Sequence, residues 1–97
     1  MPGALWVTCY RSIRDPAKLA AYAALAGPAL AAGGGVFLAR GSPAAAFEAG
    51  LLERTVIIQF PSVAAATETY KGAAYAAALA ALGDGAERDL RIVEMAA

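Results

Sequence analysis

Arg40 is the side chain in this sequence that points most clearly to chemistry. It ends an apolar segment, residues 36–40, and is followed by Gly41, a position where its guanidinium could be buried or lie at the edge of a cleft. A guanidinium in that position can hold a carboxylate through two parallel hydrogen bonds. The alternative is a structural role, as a charge on an edge strand or as the partner of an acidic residue such as Glu94. The sequence alone leaves both roles open.

Tyr10 and Tyr75 are the next candidates, because each places a hydroxyl on an otherwise apolar segment. Inside a cleft, a tyrosine can orient a substrate or act as a weak acid. Tyrosine rings more often belong to the core, with the hydroxyl reaching water or a carbonyl group, and that alternative applies equally to Tyr22 and Tyr70. We predict a ligand site lined by Arg40, Tyr10 and Tyr75.

Histidine is absent from the sequence, and cysteine occurs once, at Cys9. The lack of histidine excludes a Ser–His–Asp or Cys–His catalytic couple, a His-ligated zinc or iron site and a haem with a proximal histidine. Cys9 lies in an apolar strand segment, where we expect a small buried residue rather than a nucleophile. We therefore predict no metal and no cofactor. Any general base would have to be Glu94, Glu68 or a tyrosinate.

The charge pattern argues against nucleic acid as a partner. Eight basic and eight acidic residues give a net charge of zero, and Lys and Arg form no run along the chain, so the basic patch typical of nucleic-acid binders is missing. Only 16% of the residues are charged, against about 25% in a typical globular protein. So few charges would cover the surface of a monomer poorly, and we expect a partner subunit.

The length of the chain and its longest uncharged stretch bear on the number of domains and on whether the chain spans a membrane. Ninety-seven residues predict a single domain over 1–97. Residues 19–39 carry no charge, but they are rich in Ala and are interrupted by Gly27-Pro28 and by three consecutive glycines, which is unlike a membrane span. No signal peptide is expected, because residues 5–10 already have the pattern of a strand. We expect a cytoplasmic protein.

A strand–helix–strand pattern occurs twice along the chain. Apolar alternation predicts strands at 5–10, 36–40, 55–60 and 89–95. Asp15 and Pro16 predict the start of the first helix, and the glycines at 33–35 should end it. Ser62 predicts the start of the second helix, which should break near Gly72 and continue at about 73–82. The segment before the third strand is expected to be a loop that could include a short helical turn at 44–49.

This order, βαββαβ, predicts a ferredoxin-like α+β fold with two layers. The second strand ends in Arg40 and the fourth contains Arg91 and Glu94, so we place the nearly uncharged first and third strands in the middle of the sheet. Right-handed crossovers put both helices on one face. The other face stays apolar, which soluble monomers seldom tolerate. We predict a homodimer through that face, where the amide of Gln59 would find its partners.

Several segments together resemble a known family. They are residues 34–41 (GGVFLARG), 56–62 (VIIQFPS) and 89–94 (DLRIVE), with Tyr75 between them. Over nearly its whole length the chain is similar to the domain-of-unknown-function family 1330 (DUF1330), in the dimeric α/β-barrel superfamily. The resemblance implies protomers paired sheet against sheet, with a cleft between sheet and helices in each. Superfamily relatives include cofactor-free monooxygenases, lactone isomerases and haem-dependent chlorite-degrading enzymes, but the fold alone does not transfer those activities.

Three functions are compatible with these observations. The leading one is binding of a small organic molecule, acidic or aromatic, in the cleft. The second is a cofactor-free enzyme, such as an oxygenase or isomerase, and the third is a purely structural or regulatory dimer. An open cleft with Arg40 facing inward would favour a ligand, a carboxylate within reach would favour catalysis, and a filled space would favour the structural dimer.

Overall fold

The structure, a computed structural model, describes residues 3–96. Its elements are β1 (Ala4–Ile13), α1 (Pro16–Ala32), β2 (Val36–Gly41), β3 (Thr55–Phe60), α2 (Val63–Lys71), α3 (Ala73–Leu82) and β4 (Ala86–Glu94). The break between α2 and α3 at Gly72 is where the sequence predicts it. None of the helices in this part of the chain is long and apolar enough to span a membrane.

The four strands form one antiparallel sheet in the order β2-β3-β1-β4. The central positions of β1 and β3 confirm the prediction from charge, since Arg40 lies on the edge strand β2 and Arg91 and Glu94 lie on the edge strand β4. The helices bury their apolar residues against one face of this sheet, which we call the covered face. The fold is the predicted ferredoxin-like α+β arrangement.

The first helix begins and ends where its capping residues predict. The Asp15 carboxylate accepts hydrogen bonds from the backbone N–H groups of Ala17 and Lys18, at 3.0 and 3.2 Å. The helix continues past Pro28 to Ala32. The chain then turns through Gly34 at φ 95°, a conformation that a residue without Cβ adopts easily. The three glycines thus end a helix.

Two strands are longer than predicted, and one expected turn is absent. β1 continues to Ile13 and β4 already begins at Ala86, because the polar ends of both strands pair with each other across the sheet. The segment 42–54, between β2 and β3, has no helical turn at 44–49. It forms a tight turn at Glu48 instead, where φ is 54°.

The core lies between the helices and the covered face. Its fully buried large side chains are Trp6, Tyr75, Phe60 and Ile58. The rings of Trp6 and Tyr75 meet edge to face, with their centroids 5.2 Å apart. Thr8 is the buried polar residue on this face, and its hydroxyl oxygen accepts a hydrogen bond from Trp6 Nε1 at 2.9 Å.

No helix of residues 3–96 packs against the opposite face, which we call the open face. The alternate residues of β1 point toward it, so Leu5 and Val7 are half-buried and Cys9 is exposed. The expectation of a buried Cys9 is therefore wrong for this chain, because burial on β1 is confined to the residues that face the helices. Val36 and Val93 on the two edge strands are 59% and 52% exposed, so apolar side chains reach from one edge of the open face to the other.

Candidate functional site

An open pocket lies between α1 and the covered face of the sheet. Its volume is about 70 Å³, room for several water molecules, since a water needs about 10–15 Å³. Its apolar wall includes Leu30 of α1 and Phe37 of β2. Its polar lining consists of Thr8, Tyr10, Tyr22, Arg40, Arg54 and Arg88. No Asp or Glu of the described residues lines it, so the pocket is cationic.

Two tyrosines hold the Arg88 guanidinium beside this pocket. Nη1 donates to the Tyr22 hydroxyl at 3.0 Å and Nη2 donates to the Tyr75 hydroxyl at 3.4 Å. The guanidinium carbon also lies 4.8 Å from the centroid of the Tyr22 ring. The ion pairs within residues 3–96 join other side chains, so the half-buried Arg88 cation has only neutral partners there.

The hydroxyl pair of Tyr22 and Tyr75 has one proton left to donate. The two oxygens lie 2.6 Å apart, so one hydroxyl donates to the other. Tyr75 is completely buried, and its hydroxyl has no other acceptor in the described chain, so hydrogen-bond counting makes Tyr75 the donor to Tyr22. The proton of Tyr22 is then free to point into the pocket that this residue lines.

Arg88 adds further donors to the same space. A guanidinium has five N–H groups, and two of them bind the tyrosines, which leaves three. The Thr8 oxygen already accepts from Trp6, so the Thr8 hydroxyl proton is also available to the pocket. These side chains therefore suit a ligand that brings acceptor oxygens.

The protonation states of these groups are fixed around neutral pH. Burial, and then the hydrogen bond with Tyr22, hold the pKa of Tyr75 well above its ordinary value of 10.0. Burial also raises the pKa of Tyr10, although the nearby charges of Arg88 and Arg54 oppose that effect. Burial lowers the pKa of Arg88, but the two tyrosine hydroxyls outweigh it, so the pKa lies above its ordinary value. The pocket thus combines a permanent cation with neutral tyrosines.

Tyr10 lies between two of the three arginines. The strand register places it opposite Arg88 on β4, and its backbone N–H donates to the Arg54 carbonyl on the other side at 2.9 Å. The guanidinium carbon of Arg88 lies 5.7 Å from the centroid of the Tyr10 ring. Arg88, Tyr10 and Arg54 therefore form one row across the sheet, with Tyr10 between the two arginines.

Arg40 reaches the pocket because β2 contains a bulge. Phe37 pairs with Ile58 and Arg40 pairs with Val56, while Leu38 has no partner in the register. One extra residue reverses the alternation of side chains, so Arg40 shares the covered face with Phe37. Its guanidinium carbon lies 4.7 Å from the centroid of the Phe37 ring. The side chain stays exposed, at the mouth of the pocket.

The three residues predicted to line a ligand site occupy different positions. Arg40 and Tyr10 line the pocket. Tyr75 lies in the core behind it, and its hydroxyl contacts Arg88 and Tyr22, which do line the pocket. Their role in binding stays a prediction.

Two arginines of the pocket are not singled out by the sequence. The predicted fourth strand begins at residue 89, which leaves Arg88 outside it. The signal that finds it is the alternation of β4: counting back from Leu90 and Ile92 on the covered face places Arg88 on the same face. Arg54 precedes β3, so the alternation of residues along that strand does not indicate toward which face the Arg54 side chain points.

Neither carboxylate considered as a general base lies at the pocket. Glu68 on α2 and Glu94 at the end of β4 are exposed and do not line it. Glu94 is six residues from Arg88 along β4, about 20 Å away at the rise of a strand. It lies on the opposite edge strand from Arg40, with which it forms no ion pair. No three His, Cys, Asp or Glu side chains cluster within residues 3–96, and metal independence stays a prediction.

A family model described as a domain of unknown function (DUF1330) matches residues 3–96. The chain belongs to the DUF1330 family. This match confirms the resemblance carried by the motifs around Arg40, at 56–62 and at 89–94. No curated protein matches the chain.

Solved structures show which proteins share this fold. A protein of unknown function from Rhodopseudomonas palustris is 19% identical, with a TM-score of 0.76 over 99% of this chain and 84% of that one. SnoaB, a cofactor-independent oxygenase from Streptomyces nogalater, is 12% identical, with a TM-score of 0.66 over 100% of this chain and 96% of that one. A candidate antibiotic biosynthesis monooxygenase from Caulobacter crescentus is 18% identical, with a TM-score of 0.62 over 99% and 92%. At these identities the likeness is one of fold.

Proposed function

We propose that this DUF1330 protein binds a small organic acid in the pocket between α1 and the sheet. The observation that carries the proposal is Arg88, a half-buried guanidinium whose partners are two neutral hydroxyls. Buried charges in proteins are normally paired, because removing an unpaired charge from water is unfavourable. A bound carboxylate would complete the pair and accept the free donors of Arg88 and Tyr22.

The apolar part of the pocket supports an organic ligand rather than a simple inorganic anion. Leu30, Phe37 and Val56 line it beside the polar groups. Pockets for small molecules commonly combine such apolar walls with a few placed polar groups that fix orientation. The acid group would contact Arg88, while the carbon skeleton would lie against these side chains and extend toward the open mouth.

A cofactor-free enzyme is the second candidate, and the structural neighbours favour it. SnoaB is a cofactor-independent oxygenase, and a related fold can host such chemistry. Oxygenase or isomerase chemistry on an activated ring calls for a base near the substrate. Here no carboxylate of the described residues lines the pocket, and burial keeps Tyr10 and Tyr75 protonated by raising the pKa of each. Binding is therefore the better supported function, and the open pocket also argues against a purely structural dimer.

The protein is also proposed to be a homodimer that pairs through the open face. Val36 and Val93 are more than half exposed, and Leu5, Val7 and Ile57 lie between them on the same face. Soluble monomers seldom leave such a surface bare, and a second copy laid sheet against sheet would bury it. A cytoplasmic location stays a prediction.

Sedimentation velocity tests the dimer. The expected result is twice the chain mass of 9.8 kDa, and Ile57→Lys should give the monomer, because it places a charge in the middle of the apolar face. Glu68→Lys is a suitable control, since it changes the charge of an exposed residue on α2, which packs against the covered face. A wild-type chain that sediments as a monomer would contradict the proposal.

A thermal-shift comparison of acids with their neutral amides tests ligand binding. We expect butyrate and benzoate to raise the melting temperature, because a ligand at 100 times its dissociation constant stabilises the folded state by about 2.7 kcal/mol. Butyramide and benzamide have nearly the same shape without the charge, and should have little effect. Equal shifts for acids and amides, or no shift for any of them, would contradict an acid-binding pocket.

A further inference from the structure

We propose that the ligand carries two anionic groups separated by an apolar spacer, as in a small dicarboxylate. This inference rests on the proposed function, because it names the class of acid bound in the same pocket. It comes from the number of cations, from their separation and from the surface between them.

The first argument is a count of charges. Arg40, Arg54 and Arg88 line one pocket of about 70 Å³, and none of the three forms an ion pair within the described residues. A monocarboxylate would neutralise one of these three charges. A ligand with two negative charges leaves the pocket closer to neutral, which lowers the repulsion among the guanidinium groups.

The second argument is a count of hydrogen bonds. A carboxylate offers about four acceptor sites on its two oxygens. The three free N–H groups of Arg88 and the hydroxyl of Tyr22 already provide four donors beside the pocket. One carboxylate can therefore be satisfied there, which leaves the donors of Arg40 and Arg54 for a second anionic group.

The third argument is the position of the arginines on the sheet. Arg88 and Arg40 lie on the two edge strands, β4 and β2, so their backbones are separated by three strand spacings, about 15 Å. Their side chains approach the pocket from opposite sides, with Arg54 nearer the middle, directly before β3. A ligand that reaches both sides has to bridge the space between them.

The fourth argument is the apolar surface that lies between the charges. Val56 pairs with Arg40 across β2 and β3, and Phe37 stacks under the Arg40 guanidinium. Leu30 of α1 lines the same space. Such a surface suits a hydrocarbon spacer, which a polar or purely inorganic dianion does not offer.

Isothermal titration calorimetry with matched acids tests this inference on the full chain. Succinate and butyrate both have four carbons, and glutarate and valerate both have five, so each pair differs mainly in the second carboxylate. We expect at least one diacid to bind about tenfold more tightly than its monoacid partner, the effect of one added charged hydrogen-bonding contact. Arg40→Gln and Arg54→Gln should each weaken diacid binding more than monoacid binding. Arg14→Gln removes an exposed arginine outside the pocket and should keep the preference.

The outcomes separate this inference from the proposed function. If monoacids bind and diacids bind no more tightly, the inference of a second anionic group is wrong, while the proposal of acid binding stands. If the preference survives in both Arg40→Gln and Arg54→Gln, the assignment of the second group to these arginines is overturned. Inorganic phosphate that binds as tightly as the best diacid would overturn the apolar spacer. If neither kind of acid binds, both proposals fall.

Discussion

Arg88 and Arg91 lie three residues apart on β4, yet they have opposite surroundings. Arg91 pairs across the sheet with Val7 on the open face, and its guanidinium holds the Asp89 carboxylate through two hydrogen bonds at 3.0 and 3.1 Å. Arg88 faces the helices, opposite Tyr10, and donates to the hydroxyls of Tyr22 and Tyr75.

This difference runs against the usual distribution of ion pairs. An exposed guanidinium needs a carboxylate least, because water solvates it, whereas a half-buried one needs it most. Within residues 3–96, the exposed arginine has an acid partner and the half-buried one, which lines an open pocket, has none. A ligand that enters this pocket can therefore provide the carboxylate that Arg88 lacks.

The largest expected effect is the difference between a substitution on the covered face and the same substitution on the open face, measured as the free energy of unfolding. Ile58 is 1% exposed on the covered face, and Ile58→Ala should lower the free energy of unfolding by about 2–5 kcal/mol, as for other large-to-small core substitutions. Ile57→Ala is the matched control, since the neighbouring isoleucine is only half-buried on the open face, and its loss should be smaller. Urea unfolding measures both. Equal losses at concentrations where the protein sediments as a monomer would contradict the distinction between the faces.

A smaller effect is expected from the tyrosine pair that holds Arg88. Tyr75→Phe removes a buried hydroxyl from the hydrogen bonds with Tyr22 and Arg88. At neutral pH it should lower the free energy of unfolding by about 1 kcal/mol, the net contribution of a typical hydrogen bond. A control, Tyr70→Phe, removes a hydroxyl from a partly exposed ring and should lower it less. If the two losses were the same, the Tyr75 hydroxyl would have no special role.

The same variant should change the pH dependence of stability. Burial raises the pKa of Tyr75 above 10.0 in the folded chain, so the folded chain keeps a proton that the unfolded chain releases. The raised pKa of Tyr75 makes its full contribution to the free energy of unfolding below pH 10. This contribution is lost as the pH rises above 10, because the unfolded state then binds fewer protons than the folded state. Tyr75→Phe should therefore lose less stability than the wild type as the pH is raised from about 9 to about 11.5. Parallel losses in the two proteins would argue against the raised pKa.

The smallest effect on stability is expected from Arg88→Met. The loss of two hydrogen bonds to tyrosines is offset by removing a half-buried charge that lacks an acid, so the free energy of unfolding should change by no more than about 1 kcal/mol. Urea unfolding without added ligand measures this change. A loss of about 3 kcal/mol or more, as when a buried ion pair is broken, would show that Arg88 is structural.

The order of elements and the sheet topology follow from short-range signals in the sequence. Asp15 and Ser62 accept hydrogen bonds from the first turns of α1 and α2, and Gly72 separates α2 from α3. The edge strands are identified by their charges, Arg40 on β2 and Arg91 on β4. Each signal acts within a few residues or on one strand, which is why the sequence alone could reveal it.

The pocket depends on long-range placement, and the sequence predicts it only in part. Simple alternation puts Arg40 on the same face as Leu38, but the bulge at Leu38 turns Arg40 toward the helices. Arg88 enters the pocket because β4 starts earlier than its apolar pattern indicates, where it pairs with Tyr10. Both effects arise from pairing with a neighbouring strand, which no local pattern specifies.

Titration of butyrate into the wild type, Arg88→Gln and Arg14→Gln is the most direct test of the central claim, that Arg88 binds the acid group of a ligand. Loss of a charged hydrogen-bonding partner should weaken binding to Arg88→Gln by about 10- to 100-fold, while Arg14→Gln should bind like the wild type. A correctly folded Arg88→Gln that binds butyrate as tightly as the wild type would contradict the account.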